Sequence, residues 1–229
     1  MKLIIGIPLY NNIPIQSFLS IMKLVKNLQV SYDIIYTSNY PIDIARNVIV
    51  NKFLKKKGKY LLFLDSDNLF SPDVYERLLD LNSDIATGIS FKKVYPYYPT
   101  IYRRDGDKFR PMVDYPKNKV IEVDACGMAC CLIKREVFEK IELPYFESRM
   151  ISDSDFMGED FNFCKKAVFH GFSIKADTGL IVPHVGAIVD DRTYLSVRLA
   201  LKMIKEGNSE FTEGMKREDI LRMADIGEF

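Results

Sequence analysis

Two acidic residues stand directly after an apolar run of the chain. Leu61-Leu62-Phe63-Leu64 is typical of a buried strand, and Asp65-Ser66-Asp67 follows it with its two acids separated by one residue. Unpaired charge at the end of a buried strand is costly, and Mg²⁺ prefers carboxylate oxygens together with the phosphates of a bound nucleotide. The motif therefore predicts a metal–diphosphate site, with a turn or a helix cap as the alternative reading.

Further polar groups stand at the ends of predicted strands or at the starts of predicted helices. They are Pro8-Leu9-Tyr10-Asn11, Arg46-Asn47, Glu159-Asp160 and His184. In an open α/β sheet, ligands bind beside the carboxyl ends of the strands. We therefore expect these groups to meet Asp65 and Asp67 at one edge of a sheet.

The elements that must position these groups alternate along the first 90 residues. Apolar runs predict strands over 3–7, 32–36, 59–64 and 84–90, and helical spacing predicts helices over 17–29 and 43–57 and a third that begins at Ser71-Pro72. We expect Asp43 to be an N-cap and Pro72 to take the first helical position. The alternation predicts an α/β fold, with a mostly parallel central sheet and helices on both faces.

The order of elements changes after residue 90. Short strands are predicted over 120–124 and 129–133, extended segments over 173–177 and 180–183, and helices over 135–141, 161–169 and 190–205. The segments 92–117 and 147–158 show no clean period and are predicted to be loops. We expect one domain over 1–206 and a small helical appendage over 207–229.

Composition limits the partners of the chain. The 229 residues carry a formal net charge of +1, so no overall electrostatic field selects a nucleic acid. No apolar stretch reaches the ~18–20 residues that span a bilayer, and no signal peptide is recognisable, so we expect a cytoplasmic protein. The four cysteines do not have the spacing of a zinc site, and they are predicted to be buried hydrophobic residues. The C-terminal segment leaves open a homo-oligomer or contact with a membrane surface.

Five motifs, taken together with their order along the chain, resemble those of the GT-A nucleotide-sugar glycosyltransferases, and among them those of the family-2-like enzymes. The resemblance covers residues 2–190. The motifs that carry it are Asp65-Ser66-Asp67, the helix start Ala45-Arg46-Asn47, Cys126-Gly127-Met128 before an apolar strand, Gly158-Glu159-Asp160-Phe161, and Pro183-His184-Val185-Gly186.

The resemblance implies a metal-dependent hexosyltransferase (EC 2.4) that uses Mn²⁺ or Mg²⁺. Asp67 would contact the metal directly, Asp65 would reach the metal shell or the ribose, and His184 would be the late third ligand. Asp160 would be the general base of an inverting enzyme, with Glu159 as the second choice. These carboxylates would also favour a helix N-terminus without any catalytic role.

The donor would be a nucleotide diphosphate sugar, and the acceptor a glycan, a lipid-linked sugar or a protein. The resemblance assigns donor contacts to Pro8, Tyr10, Asn11, Arg46 and Gly127. An aromatic face such as Tyr10 stacks on any base. Arg46 suits a phosphate, although a solvated helix face is the alternative. Gly127 would let a sugar ring approach the backbone, unless it only forms a turn.

The chain departs from the family at the end of the second strand. Many family-2-like enzymes have an acidic residue there for the base, and this chain has Ser38-Asn39. A sugar-1-phosphate nucleotidyltransferase is an enzymatic alternative, but it requires a Gly-rich basic loop after the first strand, which Pro8-Leu9-Tyr10-Asn11 does not supply. A non-catalytic binding or assembly protein on the same fold is the other alternative.

Overall fold

A seven-stranded sheet forms the centre of the computed structural model, which describes residues 2–106, 108–153 and 156–185, together with 191, 194, 195, 197–199 and 202. The strands of this sheet are β1 (Lys2–Pro8), β2 (Ser31–Thr37), β3 (Tyr60–Leu64), β4 (Ile85–Ile89), β7 (Val120–Glu122), β9 (Cys130–Lys134) and β12 (Ile174–Ile181). Their order across the sheet is β2-β1-β3-β9-β4-β12-β7.

The sheet is mostly parallel, as the alternation of elements predicted. Strands β2, β1, β3, β4 and β12 run in one direction, whereas β9 and β7 run in the other. Every residue of β3 and of β4 is buried, because helices cover both faces of the sheet and both sides of each central strand must be apolar. The α/β class and its arrangement, which is consistent with a GT-A Rossmann-like fold, are therefore confirmed.

The helices divide into two layers. They are α1 (Ile15–Asn27), α2 (Ile42–Leu54), α3 (Val74–Asp80), α4 (Arg135–Lys140) and α5 (Glu159–Phe169). Helices α1 and α3 pack on the face formed by Leu3, Ile5 and Leu62. Helices α2, α4 and α5 pack on the opposite face, against Ile4 and Phe63.

The segments predicted as loops contain short strands. Strands β5 (Ile101–Asp105), β6 (Lys108–Pro111) and β8 (Ala125–Cys126) form a small three-stranded sheet, and β10 (Arg149–Met150) pairs with β11 (Phe156–Met157). These strands are too short to show a period in sequence. Their stability comes from contacts across the chain, such as the stacking of Phe109 on Phe161.

The predicted roles of Asp43 as an N-cap and of Pro72 as the first helical residue are wrong. Helix α2 begins at Ile42 with Pro41 as its N-cap, and Asp43 lies in the first turn, where its carboxylate accepts a hydrogen bond of 2.8 Å from the Ile44 N–H. Helix α3 begins at Val74, so Pro72 stands before the helix and not at its first position. An acid in the first turn still favours the helix dipole.

The C-terminal part of the chain is described in part. Residues 191, 194, 195, 197–199 and 202 are helical, in agreement with the predicted helix over 190–205. Tyr194 from this segment is buried, and its hydroxyl donates to the Val113 carbonyl at 2.9 Å. The predicted appendage over 207–229 lies outside the described residues. All four cysteines are buried and free, as predicted, and no helix in the described ranges is long and apolar enough to cross a membrane.

Asn47 attaches α2 to the segment that precedes α5. Its side-chain amide donates to the carbonyls of Asp43 and Phe146, at 2.8 and 2.6 Å. Its carbonyl oxygen accepts from the N–H groups of Tyr145 and Phe146, at 2.9 and 3.2 Å. One side chain therefore satisfies two backbone donors that have no partner within a helix or strand.

Replacing Asn47 by Ala should lower the free energy of unfolding by about 1–3 kcal/mol, because backbone groups are left without partners. Urea denaturation would measure the change. Asn51→Ala is the matched control, since Asn51 lies one turn further along α2 and is exposed. Equal stability of the two variants would contradict the assigned role of Asn47.

Candidate active site

The carboxyl ends of five parallel strands meet at one edge of the sheet, and most of the predicted groups follow these ends. A cleft of about 170 Å³ opens there. Its lining residues are Pro8, Leu9, Tyr10, Tyr40, Ile42, Ala45, Asp65, Ser66 and Asp67. Four predicted site residues, Pro8, Tyr10, Asp65 and Asp67, are therefore brought together, whereas Asn11 is not among those that line the cleft.

Arg46 is buried between two predicted site residues. Its Nη2 donates to both carboxylate oxygens of Asp65 at 3.1 Å, and its Nη1 forms a short contact with Glu159 Oε1. The side chain is only 4% exposed, so the alternative of a solvated helix face is wrong. Burial opposes the positive charge, but Asp65, Glu159 and Asp160 together outweigh it and raise the pKa of Arg46.

Asp160 lies beside this pair in the first turn of α5. Burial and the adjacent negative charge of Glu159 raise the pKa of Asp160 to about 6, although Arg46 acts in the opposite direction. The N–H of Phe161 donates to Asp160 Oδ1 at 2.8 Å and fixes the carboxyl group. A carboxyl with this pKa changes its protonation state close to neutral pH, which suits a general base.

His184 approaches the Asp65–Asp67 motif from the end of β12. The backbone of His184 forms a β-bridge with Asn68. The backbone N–H of the following residue, Val185, donates to the Asp67 carbonyl at 2.8 Å. Burial lowers the pKa of His184, while Asp67 opposes the shift. The imidazole is therefore neutral at pH 7, and its buried Nδ1 has no hydrogen-bond partner among the described residues.

Lys93 pairs with the Asp67 carboxylate through its Nζ, in a short and largely exposed contact. In the sequence, Lys93 lies in the segment 92–117, which was predicted only as a loop. A signal for its role was present, because Lys93 follows β4 just as Asp65 follows β3, and both strands end at the same edge. Tyr40 was missed in the same way, since it follows β2.

The donor groups at this edge fit a divalent cation that arrives together with a diphosphate. Both oxygens of Asp65 accept hydrogen bonds from Arg46, whereas Lys93 contacts only Oδ2 of Asp67. Asp67 and His184 are therefore the groups that could bind an ion directly, with the ion competing with Lys93 for Asp67. No group of three acidic, His or Cys side chains suited to a metal occurs among the described residues. Mg²⁺ commonly uses one or two carboxylates and takes its remaining ligands from substrate phosphates and water. Metal binding at Asp65, Asp67 and His184 stays a prediction.

Gly127 lies near the site but is buried against Thr100. Its N–H donates to the Thr100 carbonyl at 2.8 Å, and a Cβ added to Gly127 would lie 3.0 Å from the Thr100 Cβ. Close packing therefore explains why the residue is a glycine. Gly127 is not among the residues that line the cleft, and its contact with a sugar stays a prediction.

No protein-family model and no curated protein matches this sequence. Among solved structures, the chain is similar to A197 from STIV, with 26% identity, a TM-score of 0.57, and coverage of 80% of this chain and 85% of A197. This similarity supports the fold described above. Membership of the family-2-like enzymes stays a prediction.

A weaker similarity links the chain to S. aureus TarS 1–349. The identity is 14%, and the match covers 89% of this chain and 65% of the TarS chain. For the structure of TarS 1–349 in complex with UDP-GlcNAc, the identity is 16%, and the match covers 89% of this chain and 66% of that chain. The chain thus spans about two thirds of the TarS structures. The TM-score is 0.41 in both cases, a likeness too low to bear on function.

Replacing Arg46 by Gln should lower the free energy of unfolding by about 3–5 kcal/mol, because Asp65 and Glu159 are left as partly buried charges without their partner. Urea denaturation at neutral pH would measure the loss. Arg103→Gln is the matched control: Arg103 faces Asp124 across 3.8 Å in an exposed pair, which contributes about 0–1 kcal/mol. A loss for Arg46→Gln no larger than that of the control would show that the buried pairing does not stabilise the fold.

Proposed function

We propose that this protein is a glycosyltransferase that moves a hexose from a nucleotide diphosphate sugar to an acceptor hydroxyl, with inversion at the anomeric carbon. The observation that carries the proposal is the position of Asp160. Its carboxyl has a pKa of about 6 and is connected through Arg46 to Asp65, at the edge of the cleft. A base and a diphosphate site at one strand edge are the two parts that a single displacement requires.

The reaction balances with the residues of this edge. The acceptor hydroxyl gives its proton to the ionised carboxylate of Asp160, and its oxygen forms a bond to the anomeric carbon. The bond from that carbon to the diphosphate oxygen breaks, and the nucleoside diphosphate leaves with the electron pair. A bound Mn²⁺ or Mg²⁺ would supply positive charge to the departing diphosphate, held by Asp67 and His184 with Asp65 beside them.

Glu159 is the weaker candidate for the base. Its carboxylate forms a short ion pair with the buried Arg46 and is occupied by that contact. A base must be free to accept a proton within hydrogen-bond reach of the acceptor. The pairing therefore supports Asp160 as the base and Glu159 as the group that orients Arg46.

The donor would lie along the cleft between β1 and β2. Tyr10 is 68% exposed and Tyr40 is 46% exposed, and both line the cleft. Exposed aromatic faces stack on nucleobases of any kind. Lys93 is close enough to Asp67 to reach a diphosphate at the same place, where its charge would complement the phosphates.

Calorimetric titration of nucleoside diphosphates and their sugars, with and without Mn²⁺, tests the donor site. We expect one nucleotide to bind, and Mn²⁺ to strengthen its binding by roughly tenfold or more, because the ion shares phosphate and protein ligands. Mn²⁺ alone should bind weakly, since Asp67 and His184 offer few protein ligands.

Asp67→Ala should abolish the Mn²⁺ effect, whereas the control Asp80→Ala, an exposed acid at the end of α3, should retain it. Failure of the folded wild-type protein to bind any nucleotide would refute the transferase proposal and favour a binding or assembly protein.

Replacing Asp160 by Asn tests the base by two independent measurements. Transfer activity should fall by about 10²–10⁴-fold, the usual contribution of a general base. The wild-type rate should decline as the pH falls through about 6, where the Asp160 carboxylate becomes protonated. A decline centred instead near pH 4 would exclude Asp160 as the titrating base.

Thermal stability should change in the opposite sense to activity. The folded-state pKa of Asp160 is raised above 3.8, so its protonation stabilises the fold at low pH and this stabilisation is lost as the pH rises through about 6. Asp160→Asn should therefore have a higher Tm than the wild type at pH 8, and an equal Tm below about pH 4. Asp80→Asn should leave both the pH profile and the Tm unchanged; a lower Tm for Asp160→Asn at pH 8 would contradict the raised pKa.

A further inference from the structure

Strand β2 forms one edge of the central sheet, and one of its faces is apolar. Tyr32, Ile34 and Tyr36 alternate along the strand and are 39%, 44% and 62% exposed. No strand in the described ranges pairs with the outer side of β2. Native proteins usually protect such an edge with charged side chains, Pro or a bulge. The sequence Ser31–Thr37 contains no Lys or Pro, and its one charged residue, Asp33, lies opposite Ile4 on the other face and pairs with Lys2 and Lys56.

The exposed face of β2 lies on the same side of the sheet as α1. In the parallel register, Tyr32 is opposite Leu3 and Ile34 is opposite Ile5. Neighbouring residues in register point to the same face of a sheet. Leu3 and Ile5 belong to the core cluster that α1 covers, whereas the side chains of Tyr32, Ile34 and Tyr36 on the same face are exposed and are covered by no helix in the part of the chain that the structure describes.

The flank of α1 that faces β2 is also apolar. Ile15, Phe18 and Met22 are spaced three and four residues apart, which places them on one side of the helix, and all three are exposed. The opposite flank carries Asn27, whose amide donates to the Pro72 carbonyl beside α3. Because α3 lies toward the middle of the sheet, the apolar flank points toward the β2 edge.

These six exposed residues on one side of the sheet are here named the β2–α1 face. Their side chains are about half exposed, and aromatic side chains present 150–250 Å² each, so the face exposes roughly 600 Å² of apolar area. This lies at the upper limit of the largest patch on a typical monomer. It also approaches the ~800 Å² that each partner contributes to a standard protein interface.

We propose that a second copy of this chain covers the β2–α1 face and that the central sheet continues across a two-fold axis through paired β2 strands. The row of unpaired N–H and C=O groups on an edge strand is a template for pairing with another strand. An antiparallel pair of identical strands is self-complementary, as a two-fold interface requires.

The register of the proposed pair follows from the apolar alternation. With Ile34 on the axis, Ile34 of one copy lies opposite Ile34 of the other, and Tyr32 of each lies opposite Tyr36 of its partner. All of these side chains share the face that α1 borders, and cross-strand aromatic pairs stabilise sheets. This surface is distinct from the C-terminal segment 207–229.

Sedimentation equilibrium of the full chain at micromolar concentrations tests the proposal. The wild type should have twice the chain mass, and Ile34→Lys should raise the dissociation constant by roughly tenfold or more, because an apolar residue at the centre of an interface is replaced by a charge. Tyr36→Lys is a second variant, in case the first does not fold. Val120→Lys is the matched control, since Val120 is an exposed apolar residue on β7, the opposite edge strand, and it should remain dimeric.

Cross-linking adds a test of the register. Opposite Cβ atoms in an antiparallel pair lie about 4.5–5.5 Å apart, so Ile34→Cys should form an intermolecular disulfide under mild oxidation, and Val120→Cys should not. The four native thiols are buried and leave the introduced one as the accessible thiol. A monomeric wild type overturns the proposal; segment 207–229 or a membrane would then be the alternative cover of the face. A dimer that persists unchanged in both Ile34→Lys and Tyr36→Lys overturns it as well.

Discussion

The candidate site depends on one buried ion pair network. Arg46, near the start of α2, pairs with Asp65 after the end of β3 and with Glu159 at the start of α5. Arg46 and Glu159 are 113 residues apart in the sequence. The guanidinium is 4% exposed, and its charge is compensated through Nη1 and Nη2, whereas its buried Nε has no hydrogen-bond partner among the described residues. A charge buried in this way is stable only beside its ion-pair partners. Helix α5 can therefore lie only where Glu159 meets Arg46, and this requirement fixes the position of the neighbouring Asp160.

The same network separates the properties of three adjacent carboxyl groups. Asp65 and Glu159 pair directly with Arg46, whereas Asp160 is desolvated beside the negative charge of Glu159 and has a pKa of about 6. Pairs of acids whose environments separate their pKa values are typical of acid–base sites. A merely structural cap of α5 would not require this arrangement, since one acid in the first turn suffices for the helix dipole.

The sequence predicted those parts of the fold that rest on local patterns. Buried strands such as β3 have near-continuous apolar runs. Gly171, with a φ of +83°, follows the end of α5, a position where helices commonly have glycine. The starts of α2 and α3 were misplaced because Asp43 and Pro72 are residue types that favour a helix start but do not stand at one. Asp43 is one residue from the first residue of α2, and Pro72 is two residues from the first residue of α3. The ends of the predicted strands place Arg46, Glu159, Asp67 and Lys93 at one edge of the sheet, but they do not say which carboxylate pairs with which cation. The pairs Arg46–Glu159 and Lys93–Asp67 depend on side-chain contacts between distant segments, about which spacing along the chain carries no information.

The edge of the sheet and the cleft are connected through the end of β2. After Thr37 the chain turns at Asn39, which has a positive φ of 61° and whose N–H donates to the Tyr10 carbonyl at 2.9 Å. Tyr10 and Tyr40 therefore take their positions in the cleft from the end of β2. A partner strand that holds β2 would restrict the same turn, and preorganised aromatic groups bind with a smaller loss of entropy. Dimerisation through β2 would thus strengthen donor binding without adding a single contact to the donor.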